Sequence, residues 1–209
     1  MRKLVLAAVV AALSVPAQAQ QTSLREAVAR DYRENLAALF DHFHRNPALS
    51  GRETQTPARM ARELRALGYE VTTGVGGAGV VAILRNGAGP TVMIRADMDG
   101  LPLQERSGLP NASTARQVGA DGTEQPVMHA CGHDVHITSL VGTARLLHSR
   151  RANWSGTLIM IAQPAEETIS GARAMIQDGL YTRFPKPDYA LALHVDADRS
   201  PGRISVPET

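Results

Sequence analysis

Four short stretches of this sequence hold side chains able to bind a metal ion or move a proton. Asp97 and Asp99 stand in Arg95-Ala96-Asp97-Met98-Asp99-Gly100. His129, Cys131, His133 and Asp134 crowd into His129-Ala130-Cys131-Gly132-His133-Asp134. Glu166 and Glu167 follow Gln163-Pro164-Ala165, and His194 stands in Leu193-His194-Val195. Thiolate, imidazole and carboxylate together suit zinc, manganese, cobalt or nickel. Cys131 and His133, two apart around a glycine, can both point at one ion. Cys131 is the only cysteine, so no disulfide framework within the chain explains it. A metal would hold it as thiolate, and the competing reading is a small buried hydrophobe. Adjacent glutamates on extended backbone point in different directions. One can ligate an ion while the other faces the substrate and carries a proton as general base. Spacing alone does not say which does which, and a solvated loop dipeptide is the plainer alternative.

These groups need a scaffold that brings them together. Thr91–Ala96, Thr157–Ala162 and Tyr189–Leu193 read as strands; Asp97 and His194 follow the first and last directly, and Glu166 follows the second after Gln163-Pro164-Ala165. The cysteine group leads into a helix over Val135–Leu147. Upstream, Ser23-Leu24-Arg25-Glu26 has capping-box spacing, and apolar residues recur at helical intervals to about position 45. A second helix starts at Thr56-Pro57 and stops at Gly68. Tyr69–Thr73 and Val80–Leu84 read as further strands, and Ala172–Ile176 as part of a short helix. Arg203–Val206 reads as a last strand, and Met98–Val127 as one long loop. Strands alternating with helices predict an α/β fold with a largely parallel central sheet flanked by helices. In such a sheet ligands gather at the carboxyl ends of the strands, so all four groups should converge on one edge. His42, His44 and His148 fall near helix ends, where an imidazolium suits the dipole, and read as structural. His129 and His136 flank the cysteine turn and either support it or face the substrate.

Met128–Asp134, Gln163–Glu167 and Leu193–Val195, in this order, resemble the amidohydrolase branch of the aminoacylase-type metallopeptidases. That branch includes hippurate hydrolases, N-acyl-amino-acid amidohydrolases and auxin-conjugate hydrolases. Arg95–Pro102 is similar to the first motif of the family, with Glu105 following, and Gly171–Ile176 fits the helix after its glutamate pair. The resemblance covers the chain from about Leu36 onward. It implies that Cys131, His133, Glu167 and His194 ligate two divalent ions (manganese, zinc, nickel or cobalt). It implies that Glu166 is the general base and that Asp99 is the acid supporting the site. The implied reaction is hydrolysis of the amide in an N-acyl amino acid or short peptide by a metal-activated water. Members of the family are about twice as long. After a strand like Arg203–Val206 they insert a lid and dimerisation domain, then return to finish the sheet with a last ligand histidine. No histidine follows His194 here, so the chain reads as the first half of such an enzyme. An exposed sheet edge and apolar face are then expected, and with them self-association or pairing with a C-terminal half. A metal-binding module without catalysis and a plain α/β binding protein are the two other classes considered.

Composition narrows the field further. The chain has 209 residues, 44% apolar and 20% charged, which excludes a disordered or fibrous protein. Met1-Arg2-Lys3, the apolar run Leu4–Leu13, the break at Ser14-Val15-Pro16 and Ala17-Gln18-Ala19 have the layout of a signal peptide over residues 1–19. The mature chain would be residues 20–209, one incomplete catalytic domain in a periplasmic or secreted protein. Loss of Arg2 and Lys3 takes Lys+Arg from 22 to 20, level with 20 Asp+Glu. A neutral chain without a basic run excludes nucleic acid as the expected partner. No later stretch approaches the roughly 20 apolar residues of a membrane span.

Overall fold

The computed structural model describes residues 17–200 and 202–206, so most of the expected signal peptide lies outside the described residues. A helical run opens the described chain. Helix α1 (Ala17–Asp31) passes through a π-helical turn (Tyr32–Leu36) into α2 (Ala37–Arg45). The helix therefore begins ahead of Ser23, whose capping-box spacing predicted the start. After α3 (Gln55–Ala66) come β1 (Glu70–Val75), β2 (Gly79–Asn86) and β3 (Thr91–Asp97). The long loop that follows carries a small hairpin, β4 (Arg116–Val118) and β5 (Glu124–Pro126). Then come α4 (His133–Ser149), β6 (Gly156–Gln163), α5 (Gly171–Gln177) and β7 (Tyr189–Ala192).

The main sheet has the order β1-β2-β6-β3-β7. Its class is the expected α/β, but the sheet is mixed rather than largely parallel. β3 runs parallel to β6 and to β7, while β2 runs antiparallel to β6 and to β1. The turn between Val75 and Gly79 is too short for a crossover, so β1 and β2 can pair only as a hairpin. The three strands that carry site residues form the parallel half, so their carboxyl ends do share one edge. Arg203–Val206 forms no strand. Ile204 and Val206 are exposed, and no neighbouring strand among the described residues offers them a ladder.

Alternation along the central strands divides the apolar residues between two faces. Val80, Ala82, Leu84, Leu158 and Met160 pack with Leu39, Phe43, Met60, Leu64, Ile137 and Leu140 from α2, α3 and α4. Val81, Ile83, Ile159 and Ile161 pack with Met175 and Leu180 on the side of α5. Burial on both faces explains why β2 and β6 read as unbroken apolar runs. β7 differs, because all four of its residues are exposed. No helix among the described residues is long and apolar enough to cross a membrane.

Candidate metal centre

Each group reaches the site from a fixed support. Asp97 ends β3, and Asp99 lies two residues beyond it. Cys131 and Gly132 form the turn into α4, of which His133 is the first residue. Gly132 has φ 78°, and a Cβ there would lie 2.4 Å from Val195 Cγ2, so only glycine lets the strand end carrying His194 pass this turn. Glu166 and Glu167 follow β6 through a turn in which Ala165 is left-handed (φ 47°).

His133 is the hub. Its Nδ1 lies 2.9 Å from the Asp99 main-chain oxygen and 3.3 Å from Asp99 Oδ1. A proton on Nδ1 donated to that carbonyl leaves the Nε2 lone pair facing the acids. Nε2 is 3.7 Å from Asp97 Oδ1, 3.8 Å from Glu166 Oε2 and 3.8 Å from Glu167 Oε1. Cys131 Sγ lies 3.4 Å from His194 Nε2. Among the described residues two sets of donor atoms cluster within 4.8 Å, Cys131–His133–Glu167 and Asp97–His133–His136–His194, and His133 belongs to both.

All four residues expected to ligate are thus brought together, with Glu166 beside them. Asp99 supports from behind: its Oδ2 accepts from Ser50 Oγ at 2.6 Å and from the Glu167 amide at 3.0 Å. Asp97 and His136 join the site more closely than the sequence reading placed them. His136 Nε2 accepts the Val195 amide at 2.9 Å, so Nδ1 carries the proton and donates to Asp97 Oδ1 at 2.5 Å. This chain of bonds ties the end of β3 to the segment bearing His194. The signal was available: His136 follows His133 by three residues and so shares its helix face. His44 lies in the last turn of α2, as expected, and its role is structural: it stands 2.7 Å from Asp134 Oδ2 and 3.3 Å from Glu105 Oε1, bracing the long loop against α4.

The charges are unbalanced. Burial opposes ionisation of Asp97, but the His136 hydrogen bond, with His133 and Arg95 beside it, holds the carboxyl down at about 2. Burial, then the nearby Glu167 carboxylate, pushes the Cys131 thiol up to about 11. Burial raises Glu167 as well, with His133 pulling the other way. Burial lowers His133, yet Asp99 and Asp97 outweigh it and the net shift is upward. His133 Nε2 and Glu167 Oε1 are buried without a hydrogen-bond partner among the described residues. An unpartnered imidazole nitrogen and carboxylate oxygen beside a thiol, in surplus negative charge, fit divalent cations.

Residues 93–207 match the family model described as Peptidase family M20/M25/M40. The chain belongs to peptidase family M20/M25/M40. The family is one of metal-dependent hydrolases acting on amide bonds. Hippurate hydrolase of Campylobacter jejuni is 43% identical over 165 residues, covering 78% of this chain and 40% of that protein. N-acetylcysteine deacetylase of Bacillus subtilis is 39% identical over 171 residues, covering 79% and 41%. Among M20 structures, the Bacillus subtilis YXEP protein, a dinuclear metal-binding peptidase, superposes with a TM-score of 0.70 at 34% identity, covering 81% of this chain and 44% of that one. The chain therefore spans less than half the length of these M20 relatives.

Proposed function

We propose that this chain carries the metal-binding part of an amidohydrolase that cleaves N-acyl amino acids or short acyl peptides. Cys131, His133, Glu167 and His194 would hold two divalent ions of the manganese, zinc, nickel or cobalt class. The observation that carries the reading is the pair of glutamates after β6. Both come within 3.8 Å of His133 Nε2, but the Glu167 side chain is 18% exposed and that of Glu166 36%. The more buried carboxylate suits an ion, and the more open one suits a water and a substrate. Ions bound there supply Lewis acidity toward the scissile carbonyl and the attacking water. Glu166 takes the proton from that water and returns it to the departing amine. Asp99 holds the Nδ1 side of His133, so that Nε2 keeps its lone pair toward the site. Relatives named hippurate hydrolase and N-acetylcysteine deacetylase support the N-acyl amino acid class.

A second reading is favoured by β7, whose Tyr189 and Leu191 are exposed. An open edge of that kind suits catalysis that needs further chain, through self-association or a C-terminal half. Hydrolysis of benzoyl-, acetyl- and indolylacetyl-amino acids by the purified chain with manganese or zinc tests both. Turnover that needs metal and vanishes in Glu166→Gln supports the first. Metal bound without turnover supports the second, and absence of metal binding overturns both. Export is inferred from residues 1–19, with a mature start at Gln20; an uncut N-terminus in the exported fraction would refute it.

A further inference from the structure

The loop between α2 and α3 reaches under the glutamate turn, and nothing in the proposed chemistry uses it. Glu53 in this loop is 4% exposed, and its Oε1 accepts the Ala165 amide at 2.7 Å. Three residues earlier, Ser50 Oγ donates to Asp99 Oδ2, which also accepts the Glu167 amide. The amides on either side of Glu166 are therefore each held by a buried carboxylate from outside the turn. Within the turn, the Ala165 carbonyl accepts from the Ser170 and Gly171 amides. Among the described residues only Glu53 holds the Ala165 amide. Ala165 sits in the left-handed region, which an alanine leaves readily unless its surroundings fix it. Its rotation to a right-handed conformation would turn the next peptide and carry both glutamates off His133.

We propose that Glu53 is a positioning residue: with Ser50 acting through Asp99, it clamps the backbone on both sides of Glu166 and so aims Glu166 and Glu167. The inference rests on the metal-site reading above only for its consequence, not for the clamp itself. Two measurements separate these. Amide exchange by NMR on the metal-free chain reads the clamp directly. Ala165 and Glu167 should be protected in the natural sequence, strongly deprotected at Ala165 in Glu53→Ala, and protected again in Glu53→Gln, whose amide oxygen accepts the same bond. Cobalt(II) titration, read by thiolate and d–d absorption, reads the consequence. Affinity should fall about 10–100-fold in Glu53→Ala, as supporting partners of ligands typically show, and by much less in Glu53→Gln. If Glu53→Ala fails to fold, Ser50→Ala, which removes the hydroxyl that orients Asp99 Oδ2, should lower the protection of Glu167 and leave that of Ala165 unchanged. Unchanged exchange in Glu53→Ala, or equal loss in Glu53→Gln, overturns the clamp. Normal exchange behaviour in a chain that binds no cobalt would instead leave the clamp standing and sink the metal reading.

Discussion

His129 offers a test of how the buried site couples folding to pH. It is 7% exposed, and among the described residues neither ring nitrogen has a hydrogen-bond partner. Burial pushes it from the ordinary 6.5 down to about 4. The folded chain therefore keeps His129 neutral where the unfolded chain protonates it. A depressed histidine stabilises fully above pH 6.5, and that contribution is lost as pH falls from 6.5 toward 4. The gap between the two values is worth about 3 kcal/mol in full, of which about 2 kcal/mol is gone by about pH 5. His133 shifts the opposite way and would mask part of this, so the difference between two chains is the useful quantity. His129→Leu removes the titration and breaks no hydrogen bond. Urea unfolding, followed by Trp154 fluorescence in the presence of a chelator, should be run near pH 7 and pH 5. Between them the natural chain should lose about 2 kcal/mol more than His129→Leu. If the two chains lose stability in parallel, His129 is not a buried neutral imidazole and the reasoning fails.

Metal uptake should release protons, because the Cys131 thiol titrates near 11 and His133 is raised. Calorimetry of zinc binding near pH 7 in buffers of different ionisation enthalpy should show between one and two protons released, as expected when ligands must deprotonate; none released would contradict the ligand assignment. Gly171→Ala should cost about 1–3 kcal/mol or more, as overpacking does. A Cβ there would lie 1.6 Å from the Pro164 carbonyl oxygen, so the glutamate turn must shift. Thermal melting and cobalt affinity should fall together. Leu64→Ala, at a fully buried position under the sheet, should cost about 2–5 kcal/mol in urea unfolding with cobalt affinity unchanged.

The site residues were legible because each lies at a strand end or helix start, where local pattern marks the position. β3 and β7 begin at Thr91 and Tyr189, where the sequence placed them, and β6 begins at Gly156, one residue ahead of Thr157. Strand direction was not legible in the same way. β2 and β6 are both buried on two faces, so an apolar run carries no sign of which way it points. Only the short turn after Val75 records the hairpin. Arg203–Val206 alternates like a strand, but alternation describes a face to be buried, and a strand also needs a neighbour for its amides. The contacts that hold the site were least visible. Glu53 meets Ala165 across 112 residues of sequence, and Ser50 meets Asp99 across 49. A metal ligand must sit where chemistry demands, on a few strand ends that pattern can find. A residue that braces a ligand can come from any segment the fold lays beside it, so its position follows from the packing of α2 and α3 and not from any local motif. The aim of the two glutamates therefore depends on a loop whose own sequence shows no sign of the site.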